Sequence, residues 1–137
     1  MDTADEGRIG AEDPSLDNLM KRLRGIQLYM VRMDMVAETD DPMATLMPYL
    51  REHILWLRDQ ERAGTLFLSG ANRDEAGWDG SGTAIVRAGS RAEAVAVAET
   101  EPFHVAGVRR NTVHGWLLNE GNVKLSFRLF DDEYEIG

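Results

Sequence analysis

The chain has 137 residues, 43% of them hydrophobic, with 24 acidic against 15 basic side chains and a formal net charge of -9. That length supports one domain with a real core and is too short for two comfortable ones, and the apolar content excludes a disordered chain. The acidic balance argues against nucleic-acid or anionic-membrane partners, and the lack of cysteine excludes disulfides, thiolate nucleophiles and thiolate metal sites.

No apolar run reaches the length of a membrane span. The opening MDTADEGRIGAEDPS is acidic and polar, the opposite of a secretory signal. A cytoplasmic protein is the plain expectation. Residues 1–15 read as mobile. SLDNLMKRLRG then supplies a Ser15 cap, leucines at Leu16, Leu19 and Leu23, and a terminating Gly25, the pattern of a short amphipathic helix. IQLYMVRMDM follows as a strand. Leu28 and Met30 point one way, Tyr29, Val31 and Met33 the other, so it is apolar on both faces.

Asp41 and Pro42 mark a cap and first-turn proline for a helix running to about Ala63, closed by Gly64. TLFLSGA is a second strand. NRDEAGWDGSG, rich in Gly and Asp, reads as a turn or flexible lid. TAIVRA is a third strand. Ser90 caps a second helix, RAEAVAVAET, with Glu93 placed for a capping box. Pro102 marks its end. VRRNTVHGWLL is a fourth strand, NEGN a turn, and VKLSFRLF a fifth strand in a hairpin, with Val123, Leu125, Phe127 and Leu129 on one face. The tail DDEYEIG is acidic and expected to be exposed.

Strand, helix, strand, strand, helix, strand, with one appended strand, is the ferredoxin-like split βαβ order of an α+β fold. The division expected is an N-terminal arm over residues 1–24 and one domain over 25–137. Two helices cover only one face of the sheet, yet the first strand is apolar on both. A second copy of the sheet is the simplest cover, so a homodimer packed sheet to sheet is expected.

The chemistry centres on His53. At 100° per residue Leu46, Leu50 and Leu57 share a narrow arc, with His53 beside it and Tyr49 and Trp56 on the flank. The imidazole therefore faces the sheet, either as a core histidine satisfied by a backbone carbonyl or as a functional group. Glu101 ends the second helix, where a carboxylate opposes the helix dipole. It is either a solvated acid in a turn or the partner of a buried histidine. His104 and His114 complete three histidines, but their irregular spacing does not suggest a metal site. Arg109 and Arg110 point to opposite faces of a strand, so one can reach a cleft while the other is solvated. GWDGSG lacks a phosphate-loop lysine and leads into no helix.

Taken together, HILWLRDQERAGTLFLSGA, AGSRAEA and EPFHVAG, in their order and spacing over about residues 27–118, resemble the YciI-like (YCII-related) family. The resemblance implies a dimeric α/β barrel with a small cleft at a dyad of a helix-borne histidine and an aspartate in a DPF-like segment. His53 matches the histidine. Glu101, in EPF, stands at the acid and adds one methylene. The SGA after the second strand lacks the proline often found there.

One expectation is then an enzyme without a cofactor or metal, an isomerase or lyase. Its His53 acts as general acid and base, oriented by Glu101, on a small aromatic or anionic metabolite. Ser69, His104 and Arg109 are candidates to position that substrate, and Tyr29 and Trp56 to wall it. The alternatives are a dimer that binds a small ligand without changing it, and a His53–Glu101 pair that is only structural.

Overall fold

The computed structural model describes residues 14–128, 130 and 133–136. Its elements are α1 (Leu16–Met20), β1 (Ile26–Met35), α2 (Pro42–Arg62), β2 (Leu66–Asp74), β3 (Gly77–Val86), α3 (Arg91–Glu99), a single turn α4 (Pro102–Val105), β4 (Arg109–Leu118), β5 (Leu125–Arg128) and β6 (Glu133–Ile136). Strands β2-β3-β1-β4 form one sheet in that order, every neighbouring pair antiparallel. This is the ferredoxin-like βαββαβ arrangement read from the sequence.

β1 holds the centre because it pairs along its whole length with β4 and over Tyr29–Met33 with β3. Its odd-numbered residues Tyr29, Val31 and Met33 join Ala84 and Val86 of β3, Val113 of β4, and Ala94 and Ala98 of α3 in one buried cluster. The small alanines let α3 lie close on the sheet. Both long-helix starts follow the sequence signals. The Asp41 side chain accepts from Ala44 N–H at 3.1 Å, and Ser90 Oγ accepts from Glu93 N–H at 3.1 Å. Glu93 completes the box one residue early, accepting from Gly89 N–H at 2.9 Å.

Three sequence readings change. The Gly- and Asp-rich stretch is no lid. β2 runs on to Asp74 and β3 begins at Gly77, so most of it is a tight hairpin whose register shifts between Ala71 and Arg73. Its glycines serve bends within strands, Gly77 and Gly80 standing at φ +111° and +96°. Second, β5 does not pair back on β4. It pairs with β6, Leu125 opposite Ile136, in a separate two-stranded ribbon. Alternation shows that VKLSF is a strand but carries no record of its partner. Third, His114, which its place in the fourth strand in register with Thr112 and Trp116 suggests as a half-buried sheet residue, is exposed. The readings of residues 1–13 as mobile, of Phe127 and Leu129 on the strand face and of the tail's exposure lie outside the described residues and side chains.

The helix α1 starts after its Ser15 cap as expected but stops at Met20, short of Leu23 and Gly25, and buries none of its residues. The chain behind it is tied to the end of β4, where Asn119 accepts from Arg24 N–H through its carbonyl and from Gly25 N–H through Oδ1, each at 2.9 Å. The helix-free face of the sheet leaves Ile26, Leu68 and Trp116 exposed.

Candidate active site

The spacing that put His53 on the apolar arc of α2 places it over the sheet, where it is only 9% exposed. Leu46, Leu50 and Leu57 of the same arc line a cavity between α2 and the strands β1, β2 and β3, and His53 lines it with them. The cavity is about 200 Å³ and is also lined by Met33, Met43, Trp78 and Phe103, with Ser69, Gly70, Ala71, Gly82 and Arg109 on the strand side.

Glu101 is fully buried. It does not end α3 against the dipole, as the sequence suggested. Instead it is the N-cap of α4, where a carboxylate is favoured. Its Oε2 accepts from Phe103 N–H at 2.7 Å and from His53 Nδ1 at 2.8 Å. Its Oε1 accepts from His104 N–H at 3.2 Å and from Asn111 Nδ2 at 3.1 Å. The extra methylene of glutamate therefore leaves the acid within hydrogen-bond reach of the imidazole. Burial pushes the carboxyl upward. The hydrogen bonds from His53, Phe103 N–H and Asn111, together with the His53 charge, outweigh it and hold the group below its ordinary value.

An ionised carboxylate only accepts, so the contact assigns the proton of the neutral imidazole to Nδ1. Nε2 is then the unprotonated nitrogen, with no partner among the described residues, on a ring that lines the cavity. The ring stacks on Phe103 at 4.3 Å between centroids and lies 6.4 Å from Trp56. Trp56 Nε1 donates to Thr100 Oγ1 at 2.9 Å, which pins α2 to the end of α3 beside the pair.

Arg109 and Arg110 separate as β-alternation requires: Arg109 is 5% exposed and Arg110 lies on the open side. The guanidinium of Arg109 sits 4.7 Å from the centroid of Phe103. Its Nε and Nη2 both donate to the carbonyl of Gly80, at 2.9 and 2.6 Å. The positive φ of Gly80 sets the direction of that carbonyl. A Cβ there would come within 2.8 Å of Met35 and Pro42 side-chain atoms, so glycine is required twice over. Burial pulls the Arg109 guanidinium below the usual arginine value, while Glu101, Asp79 and Asp34 pull it back.

Of the residues singled out from sequence, the structure brings His53 and Glu101 together, and Ser69 and Arg109 line the same cavity. Tyr29 belongs to the core cluster under α3 and is not on the cavity wall. His104 is not on it either, because its Nδ1 accepts from Asn111 N–H at 3.1 Å. The apolar wall is made by methionines, leucines, Trp78 and Phe103 rather than by Tyr29 and Trp56. Asn111 was missed. Besides Glu101 it donates to Ala98 O at 2.9 Å, fixing the acid to the end of α3. The available signal was its place two residues beyond Arg109, on the same face of β4. Among the described residues no group of three or more His, Asp or Glu is arranged to hold a metal.

The chain is thus a ferredoxin-like domain with a buried histidine–carboxylate pair whose histidine lines a small cavity. The YCII-related domain family matches residues 30–116, which hold most of the four-stranded sheet, both long helices and the pair, and the chain belongs to that family. No curated protein matches the chain. Among solved structures it is similar to the 5-chloro-2-hydroxyhydroquinone dehydrochlorinase TftG from Burkholderia phenoliruptrix AC1100, determined with 2,5-dihydroxybenzoquinone. The TM-score is 0.51 at 17% identity, covering 65% of this chain and 92% of that one. At that identity the likeness speaks for the fold alone.

Proposed function

We propose that the protein is a cofactor-independent enzyme of the lyase or isomerase type, in which His53 moves a proton on a small aromatic or anionic metabolite and Glu101 orients the imidazole. The observation that carries this reading is the 2.8 Å contact between His53 Nδ1 and a buried carboxylate, with Nε2 left unpaired on a cavity-lining ring. A carboxylate behind an imidazole favours the charged form that follows proton uptake and fixes the tautomer that begins it. A purely structural pair would need no cavity beside it. Dehydrochlorination of a hydroxylated ring, the reaction for which the similar TftG is named, is chemistry of this kind. Ser69 and Arg109 are the side chains placed to meet the substrate. The assay is halide release from 5-chloro-2-hydroxyhydroquinone and related single-ring compounds, together with exchange of carbon-bound hydrogen for solvent deuterium in small enolisable acids. A compound that binds and stabilises the fold yet is never changed favours the non-catalytic reading.

The same proposal includes a homodimer. The helix-free sheet face exposes Ile26, Leu68 and Trp116. A groove at its end, about 840 Å³, is walled by Leu23, Phe67, Val123 and Leu125 among others. Apolar surface of this kind on one sheet face calls for cover. Sedimentation at micromolar concentration is expected to give a dimer, and Trp116→Glu to shift it towards monomer. A monomeric wild type contradicts the dimer.

A further inference from the structure

Arg109 is a buried cation, and among the described residues no carboxylate lies within ion-pair distance of it. Its two bonded nitrogens share one neutral acceptor, the Gly80 carbonyl, and its flat face rests on a neutral ring. Nη1 donates to nothing among the described residues. A buried guanidinium is ordinarily paired, because removing its hydration is costly. Here it is fixed in place and left with one free N–H edge on the cavity wall.

Gly82 lines the cavity beside that edge: a Cβ on it would stand 3.1 Å from the Gly70 carbonyl oxygen, 3.3 Å from Met33 Cε and 3.9 Å from Arg109 Nη1, so a side chain there would crowd the neighbouring strand. His53 and Arg109 both line this one cavity, so a molecule that fills it meets both. A cavity of about 150 Å³ holds one benzene ring, whereas larger ligands take about 300 Å³ or more. About 200 Å³ therefore admits a single ring with small substituents, or a shorter chain.

We propose that Arg109 is the oxyanion receptor of this cavity, and that the substrate class is an enolisable carbonyl compound no larger than one substituted ring, its carbonyl oxygen seated on Nη1. The proposal rests on the His53 reading for its proton acceptor. His53 Nε2 takes the proton from the carbon next to the carbonyl. The C–H electron pair becomes the C=C bond of the enolate, and the carbonyl π pair moves to oxygen, where Nη1–H meets the new charge. When the carbonyl re-forms, the C=C pair either moves to the next bond and expels a leaving group from the neighbouring carbon as an anion or, where a second C=C is conjugated with the enolate, shifts along it and takes the proton back from His53 at its far carbon. The receptor holds the developing anion more tightly than the neutral carbonyl, which is the preference that accelerates the step.

The test uses benzoate, a planar anion of the right size, and its neutral isostere benzamide, titrated calorimetrically into the full chain. Benzoate is expected to bind at least about tenfold more tightly, the advantage vanishing in Arg109→Gln and surviving in His53→Gln. Equal binding of the two probes, or no benzoate binding at all, overturns the proposal. So does an advantage lost in His53→Gln and kept in Arg109→Gln. The wild-type comparison decides the matter even if Arg109→Gln does not fold. Retained benzoate preference with a His53→Gln variant that turns over normally would remove the proton-transfer reading and leave the anion receptor standing.

Discussion

Replacing Glu101 with alanine is expected to lower folding stability by about 3–5 kcal/mol, the range for removing one partner of a buried charged pair. The carboxylate accepts from four donors, and alanine leaves His53 Nδ1 and two backbone N–H groups of α4 without this acceptor and Asn111 Nδ2 with the Ala98 carbonyl alone. Because Glu101 is also the N-cap, the turn that carries Phe103 loses its start. Glu101→Gln separates charge from shape. It fills the same space, but one of its two terminal atoms now donates towards donors, so it too is destabilised. The pH dependence has a definite sign. The folded carboxyl titrates below its ordinary value, so its contribution is complete above the unfolded value of about 4.3 and is lost as the pH falls through the lower folded one. Wild-type denaturation midpoints should therefore fall on the acid side of that value. Glu101→Gln should lose this part of the dependence. An unchanged acid limb in Glu101→Gln would mean that the carboxylate is not held as described.

His53→Gln is expected to lower turnover of an accepted substrate by about 10²–10⁴-fold, the usual contribution of a positioned acid–base group. Glutamine can still donate to Glu101 Oε2, so the cost to folding should stay near about 1 kcal/mol, that of one altered hydrogen bond. It cannot take up a proton at the position of Nε2. The loss should fall on kcat, with KM changed less, because the group acts in the proton-transfer step rather than in holding the substrate. Turnover within a few-fold of wild type, in a variant with native stability, would remove His53 from the reaction.

Much of the fold was legible because its signals are local. Ser90 and Asp41 cap the helices where their side chains can reach the third N–H, and the period of Leu46, Leu50 and Leu57 fixed which way His53 points. The pairing of His53 with Glu101 was not legible from spacing. The residues are 48 apart, and only the packing of α4 against α2 brings them together. Glu101 was misread as a helix end because α4 is a single turn, too short to show a period. The Asp–Gly stretch was misread as a loop because glycines at bulges look like glycines in turns. Strand partners were likewise hidden, so β5 was given to β4 instead of β6. Tyr29 and His104 were placed near the substrate on residue type alone, and their burial and bonding put them elsewhere.

The most direct test of the pair needs no substrate. Long-range ¹H–¹⁵N spectroscopy of the His53 ring at neutral to alkaline pH distinguishes a protonated from an unprotonated nitrogen. With Glu101 ionised and accepting at 2.8 Å, the neutral ring should carry its proton on Nδ1 and leave Nε2 bare. A neutral His53 protonated on Nε2 would contradict the arrangement, because the nitrogen facing the cavity could then no longer take up a proton.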